Sequence, residues 1–436
     1  MADTLRFDGQ VAIVTGAGGG LGRAYALLLA SRGAKVVVND LGGKVDGSGA
    51  DARAADKVVE EIKAAGGEAT PNYDSVENGD KIVKTAMDTW GRVDIVINNA
   101  GILRDRSFLK MTDQDWDLVY KVHLLGTYRV SKAAWPIMRQ QKYGRIVNVS
   151  SASGLYGNEG QGNYAAMKMG IAGLSATLAK EGVRYDVKVN TIAPIAGSRM
   201  TASVMPPDLV EALKPEYVAP VVAFLAHASV PESGGIFELG AGWVSRLRWQ
   251  RSRGGFFQLA SFSPEAVRDK FEEISDFDGH PTSYPTSNND AFGEIMSNLE
   301  GQEAPPPPSS TASTPTSTSK ESLMASAPLF ETMAKALKNE GAALAKKING
   351  NYRFVVDDGN WVLDLKGASP SLRIGDKDSP VDVTLRVSDA DFVQIVTGKL
   401  NSQQAFMKGK LKIKGNMGMA MKLESILKLA RTKAKL

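Results

Sequence analysis

Between residue 6 and about residue 244, apolar, mostly β-branched runs at 11 to 15, 35 to 39, 93 to 98 and 145 to 150 alternate with amphipathic helical stretches. A run that is apolar at nearly every position must be covered on both faces, and strands joined by helices return in the same direction. This pattern predicts an α/β domain with a doubly wound parallel sheet. After Val244 the alternation breaks into polar and aromatic pieces with one predicted helix over 264 to 275, read as an extension packed on that domain. Residues 302 to 320, QEAPPPPSSTASTPTSTSK, hold no large apolar side chain and cannot offset the entropy of ordering. The expected organisation is therefore a first domain over 1–300, a flexible linker over 301–322 and a smaller α/β domain over 323–433. In the smaller domain, 323 to 339 has helical spacing and the runs 352 to 356 and 361 to 365 flank Asp357-Asp358-Gly359-Asn360 as a β-hairpin. A third strand over 381 to 387 and helices over 390 to 398, 402 to 407 and 417 to 430 complete the prediction.

The 436 residues are 43% hydrophobic, enough for real cores. There is no run of eighteen apolar residues for a transmembrane segment, and the first residues lack the basic-then-apolar pattern of a signal peptide. The absence of cysteine excludes disulfides and thiolate chemistry; His123, His227 and His280 are scattered without metal-ligand spacing, so no metal is expected. Demanding chemistry here needs an organic cofactor. Aromatic and basic residues do not interleave, which argues against nucleic acid. Residues 321 to 436 carry 19 Lys/Arg against 12 Asp/Glu, a charge suited either to anionic lipids and acyl-CoA phosphates or simply to a solvated face.

The run ending at Thr15 leads into Gly16-Ala17-Gly18-Gly19-Gly20-Leu21-Gly22 and then a helical stretch. Glycines at 16, 20 and 22 allow a tight turn and close approach to a pyrophosphate, whose charge a helix N-terminus favours. The next run ends at Asp40, eighteen residues past Gly22, where a carboxylate can accept both ribose hydroxyls and would repel a 2′-phosphate. NAD is the expected cofactor. With Asn98-Asn99-Ala100-Gly101 and Tyr164-x-x-x-Lys168 following in order, the chain resembles the short-chain dehydrogenase/reductase family. That resemblance implies dinucleotide contacts from Gly16, Gly20, Leu21, Gly22 and Asp40, from Asp74 and Ser75 at the adenine, and from Asn99, Ala100, Gly101, Tyr164 and Lys168. Asp74 is alternatively readable as a cap for a helix starting near Glu77.

Hydride transfer from a carbinol requires a base for its hydroxyl proton. A free tyrosine, with a pKa of about 10, is too basic unless a cation favours the phenolate. Tyr164 and Lys168 lie four apart on a predicted helix, on one face, so Lys168 is expected to lower the Tyr164 pKa. Ser151 matches the family serine that orients the substrate oxygen, with Ser150 as its neighbouring competitor. Where most family members carry an asparagine, this chain has His123, readable as a proton relay or as a residue holding a helix bulge. The segment 190 to 195 lacks the family's Pro-Gly pair, which leaves the carboxamide contact loosely assigned to 195 to 201.

Segments 99 to 107, 142 to 146, 198 to 201, 211 to 221 and 240 to 244 look like the dehydrogenase unit of the peroxisomal multifunctional enzymes of type 2. The resemblance implies NAD-dependent oxidation of a (3R)-3-hydroxyacyl-CoA, a fatty acyl-CoA substrate, with a 17β-hydroxysteroid side activity and a homodimer. Gln403-Gln404-Ala405-Phe406 and residues 409 to 422 resemble sterol carrier protein 2, which implies an apolar tunnel for a lipid or sterol; Met417, Met419 and Met421 are then either a deformable wall or plain core. The linker stands where that enzyme family commonly has a hydratase unit, so hydratase activity is not expected. Ala434-Lys435-Leu436 has the form of a peroxisomal C-terminal signal at 434–436, to be read by an import receptor. A steroid dehydrogenase, and a lipid carrier with a non-catalytic dehydrogenase fold, are the competing readings.

Overall fold

The computed structural model describes residues 4–197, 206–279, 282–300, 324, 326–357, 359–366, 370–374, 380–407, 409–415 and 426–427. The chain divides into two compact units, Met1–Arg248 and Trp249–Leu436. This division places residues 249–300, expected as an extension of the first domain, with the second unit. The linker at 301–322, the methionines at 417, 419 and 421 and the terminal tripeptide lie outside the described residues.

The first unit is built on strands β1 (Val11–Thr15), β2 (Lys35–Asn39), β3 (Glu68–Asn72), β4 (Ile95–Asn98), β5 (Gly144–Val149), β6 (Val187–Pro194), β7 (Ile236–Gly240) and β8 (Trp243–Leu247). Their order is β3-β2-β1-β4-β5-β6-β7-β8. The run from β3 to β7 is parallel, as the sequence pattern required, but β8 is antiparallel to β7. The cause is local: Ala241 and Gly242, with φ of 46° and 85°, make a two-residue turn that reverses the chain at once and leaves no room for a crossover. The doubly wound character is visible in β2. Val36 and Val38 enter one core with Tyr25, Leu29, Val58 and Ile62, whereas Val37 enters the opposite core with Ile82, Val130 and Met138. Helices α1 (Gly20–Ser31) and α2 (Arg53–Ala64) cover the first face; α3 (Gly79–Trp90) and α5 (Gly126–Gln141) cover the second, with α4 (Asp113–Tyr120) preceding α5. Strand order reverses between β1 and β4, and a crevice opens at the carboxyl ends of these strands.

In the second unit, residues 249–300 form the helices Pro264–Asp269, Phe271–Ser275 and Asn288–Glu300, and none of their described residues is buried. Beyond them, β9 (Asn351–Val356), β10 (Gly359–Asp364), β11 (Ser371–Ile374), β12 (Val383–Val387) and β13 (Leu411–Gly415) form a second sheet in the order β11-β10-β9-β12-β13. The β9–β10 hairpin is the one the turn residues predict; β9 and β12 run parallel. Helix Ala327–Ile348 is longer than its predicted span and lays Phe330 between Trp361 and Phe392, with ring centroids 4.2 and 4.8 Å away and planes within 9°. Such stacking of large rings gives this small domain a dense core. Among the described residues, no helix is long and apolar enough to cross a membrane, and no cluster of three His, Asp or Glu side chains is placed to hold a metal.

Candidate active site

At the end of β1 the chain turns through Gly16 (φ 64°) and Gly20 (φ 51°) into α1. A Cβ on Gly16 would stand 2.8 Å from the Ala100 Cα, and one on Gly22 would stand 2.2 Å from the Gly16 carbonyl oxygen, so the turn packs against itself and the end of β4 only without side chains. That junction is stitched by polar bonds. Thr15 Oγ1 accepts from the Asn99 and Ala100 N–H groups at 3.0 and 3.1 Å, and Asn99 Nδ2 donates to the Thr15 and Gly16 carbonyls. At Gly19 and Gly20, by contrast, an added Cβ would meet open space, and the N-terminus of α1 has no side-chain cap. Its free N–H groups are thus available to an anion.

Asp40 fixes the far side of this cradle: its carboxylate accepts from the Gly18 and Gly42 N–H groups, both at 2.7 Å. Asn72 Nδ2 donates to Asp74 Oδ2 at 2.9 Å, while Ser75, not Asp74, caps the following turn by accepting from the Glu77 N–H. The capping alternative for Asp74 therefore fails. Gly16, Gly20, Leu21, Asp40, Asp74, Ser75, Asn99, Ala100 and Gly101 all line one cleft enclosing about 1210 Å³ of space continuous with solvent. Gly22 packs below the turn and does not line it, and Tyr164 and Lys168 are not among the lining residues either. The sequence reading missed Lys44, Val45 and Gly47, which line the same cleft from a loop with no regular periodicity. Open backbone at an uncapped helix end, beside a carboxylate, fits the diphosphate and ribose of a dinucleotide.

The second half of the site is carried by α6 (Ala152–Tyr156) and α7 (Gly162–Gly182). Ser151 is the N-cap of α6, and α7 carries Tyr164 and Lys168 one turn apart, as expected. Ser150 is accounted for differently: its hydroxyl is buried and donates to the Lys168 carbonyl at 2.8 Å. The expected lowering of the Tyr164 pKa by Lys168 is not what the structure shows. Enclosure by protein pushes the Tyr164 phenol up to about 12, against which a hydrogen bond with Ser151 pulls down. Buried Lys168 donates to the Val149 carbonyl at 2.7 Å, with Nζ 5.5 Å from the centre of the Tyr164 ring, and burial lowers its own pKa to about 7. A lysine that is itself reluctant to hold its proton cannot depress its neighbour strongly.

His123 sits in the π-helical turn Lys121–Leu125 that joins α4 to α5. It is fully buried, and Nε2 lies 2.8 Å from the Ile102 carbonyl oxygen and 3.1 Å from the Ile102 nitrogen. Its ring stands edge-on to Tyr164 with centroids 5.1 Å apart, and Gly101 makes room for it: a Cβ there would lie 2.5 Å from Cε1. Burial, helped by the charge of Lys168, lowers its pKa to about 3, so the imidazole is neutral at ordinary pH. The geometry is that of a spacer holding the bulge against the Tyr164 ring.

Asn163 escaped the sequence reading. It is fully buried, accepts from the Tyr164 N–H at 2.7 Å, and donates to the Arg104 and Asp115 carbonyls. A polar residue on the inner face of a helix, directly before Tyr164, was the available signal. Asn98 donates to Asn148 Oδ1 on the neighbouring β5 and to Ser131 Oγ on α5. Of the loosely assigned carboxamide segment, only Ile195, Ala196 and Gly197 are among the described residues.

The pattern of the short chain dehydrogenase family matches residues 10–206, and that of the SCP-2 sterol transfer family matches residues 330–428. The chain is similar to peroxisomal multifunctional enzyme A of Dictyostelium discoideum, at 52% identity over 97% of this chain and 98% of that one. It is 58% identical to peroxisomal multifunctional enzyme type 2 of Mus musculus over 68% of its own length, and spans 40% of that enzyme. Among solved structures, the full-length peroxisomal multifunctional enzyme type 2 of Drosophila melanogaster matches with a TM-score of 0.58 at 28% identity, over 96% of this chain and 88% of that one. A 7α-hydroxysteroid dehydrogenase complexed with NADH and 7-oxo glycochenodeoxycholic acid matches with a TM-score of 0.50 at 29% identity, over 56% of this chain and 97% of that one.

Proposed function

The chain belongs to the peroxisomal multifunctional enzyme family, with a short-chain dehydrogenase unit and an SCP-2 unit on one polypeptide, and from that premise we propose that it oxidises (3R)-3-hydroxyacyl-CoA to 3-ketoacyl-CoA using NAD. The observation that carries this reading is the convergence of Ser151, Tyr164 and Lys168 in the domain that holds the dinucleotide cleft. Bound NAD would accept a hydride from the carbinol carbon. Ser151 holds the substrate oxygen and, through its hydrogen bond with Tyr164, favours the phenolate that takes the hydroxyl proton. The Asp40 carboxylate, at the ribose end, favours NAD by repelling a 2′-phosphate.

The SCP-2 unit supplies a lipid or sterol site, tethered by the Pro/Ser/Thr-rich segment 301–322 to the dehydrogenase. A homodimer is supported by residues 249–300, where Trp249, Phe262 and Phe271 are 55%, 54% and 61% exposed. Side chains of this size are normally covered, and a second copy would cover them. The terminal Ala434-Lys435-Leu436 is proposed as the segment read by the import receptor. A steroid alcohol is the second reading, favoured by the bile-acid derivative in the 7α-hydroxysteroid dehydrogenase complex. Purified full-length chain given NAD and each epimer of a 3-hydroxyacyl-CoA should produce NADH from the (3R) form. Turnover confined to the (3S) form, or a specificity constant far higher for a steroid alcohol, would overturn the assignment.

A further inference from the structure

The loop between β2 and α2 is a closed structure in its own right. The Asp51 N–H donates to the Leu41 carbonyl at 3.1 Å and joins the two ends; inside, the Lys44 N–H donates to Ser48 O at 2.8 Å and the Gly47 N–H to Lys44 O at 2.9 Å. A loop tied at its base and by its own backbone behaves as a rigid unit. Its tip is fastened to the opposite wall of the dinucleotide cleft. Leu103 N–H donates to the Val45 carbonyl at 2.9 Å, Arg104 Nε donates to the Asp46 carbonyl at 2.9 Å, and Gly47 sits so close to Ile102 and Leu118 that a Cβ would come within 3.1 Å of both. Arg104 is itself anchored by an ion pair to Asp115 at 3.1 Å.

The loop therefore spans from the Asp40 side of the cleft to the Ile102 side, and carries Lys44 along its edge. The charges lining the cleft are lopsided: Asp40, Asp74 and Glu77 are acidic, and Lys44 is the one cation among the lining residues. Lys44 forms no ion pair among the described residues; the acidic side chain its charge reaches is Asp46 in the same loop. Lys81 reaches Asp74 at 3.9 Å, which leaves Asp40 and Glu77 facing the cleft, and a diphosphate there is better held with a further cation.

We propose that the 41–51 loop is a fixed strap across the dinucleotide cleft and that Lys44 is a binding residue for the diphosphate of the cofactor, supplementing the backbone N–H groups of α1. The inference rests on the dinucleotide reading of the cleft. Its chemistry is that of a lysine as a point charge: it adds affinity for the diphosphate without demanding a single geometry, and salt screens it.

The test is equilibrium binding to the full-length chain of ADP-ribose, adenosine and 2′-phospho-ADP-ribose, for the unaltered protein and for Lys44→Met and Lys44→Arg. Lys44→Met should weaken ADP-ribose by about ten-fold at low salt, a size typical of a partly exposed charge-assisted contact. It should change adenosine less than about two-fold, and Lys44→Arg should restore most of the loss. The gap between unaltered and Lys44→Met protein should narrow as salt is raised. Equal losses for ADP-ribose and adenosine would mean the strap has simply come loose, and would overturn the proposal. So would a loss confined to 2′-phospho-ADP-ribose, or none at all. If the unaltered chain bound no ADP-ribose, the dinucleotide reading would fall and this inference with it.

Discussion

The proposed dinucleotide cradle and the proposed catalytic face are made of different materials. The cradle is backbone: Gly16 and Gly22 packed to contact, open N–H groups at α1, and one carboxylate held by two further N–H groups. The catalytic face is made of enclosed titratable side chains displaced away from their working states: Tyr164 pushed to about 12, Lys168 to about 7 and His123 to about 3. Binding can be built from unshifted backbone dipoles, whereas proton transfer has to be poised by neighbours, so the two halves should respond to substitution in separable ways.

The largest separation is expected at Tyr164. Tyr164→Phe removes the proposed proton acceptor and should lower kcat by about 10³-fold, within the range for loss of a general base, while ADP-ribose affinity changes less than about two-fold. Steady-state kinetics paired with binding measures both, and parallel losses would mean that the tyrosine also shapes the cradle. Gly22→Val reverses the pattern. The added carbon cannot fit beside the Gly16 carbonyl, so dinucleotide affinity should fall by about 100-fold or more, with several degrees off the melting temperature as a check on the accompanying strain.

Asp40→Ala tests the charge within the cradle. It should leave kcat nearly unchanged and narrow the preference for NAD over NADP by about ten-fold, read as the ratio of kcat/KM values. Unchanged discrimination would remove Asp40 from the ribose. A separate effect concerns His123 and is seen in stability rather than in turnover. Its folded pKa of about 3 lies below the ordinary value of 6.5, so between those limits the unfolded chain takes up a proton that the folded chain refuses. Stability should therefore fall as pH drops from 6.5 towards 3. His123→Asn should flatten that part of the pH dependence in urea unfolding, and an unchanged slope would place the acid sensitivity elsewhere.

Much of the fold was legible because its signals are local. β1 and β2 match their apolar runs residue for residue, and β4 and β5 differ from theirs by one or two residues at the ends. β3 was not legible: Glu68-Ala69-Thr70-Pro71-Asn72 is polar and contains a proline, acceptable only because this strand lies at the sheet edge. β13, with lysines alternating along Leu411–Gly415, is likewise an edge strand. In the site, Tyr164 and Lys168 announce themselves through one-turn spacing and the glycines through their position between a strand and a helix. Asn163 and the 41–51 loop do not, because their partners, Arg104, Asp115, Leu103 and Ile102, are distant in sequence.

The glycine turn, its carboxylate at Asp40 and the Tyr164/Lys168 pair followed from the sequence alone, since each depends on backbone freedom, residue type or the pitch of a helix. Tertiary structure decided what these groups are able to do. Enclosure shifted the pKa values of Tyr164, Lys168 and His123, contact with Gly101 and Ile102 fixed the place of the His123 ring, and the tie from Val45 to Leu103 drew the 41–51 loop over the cleft. Those properties arise from desolvation and from contacts between remote segments, which no periodicity along the chain encodes.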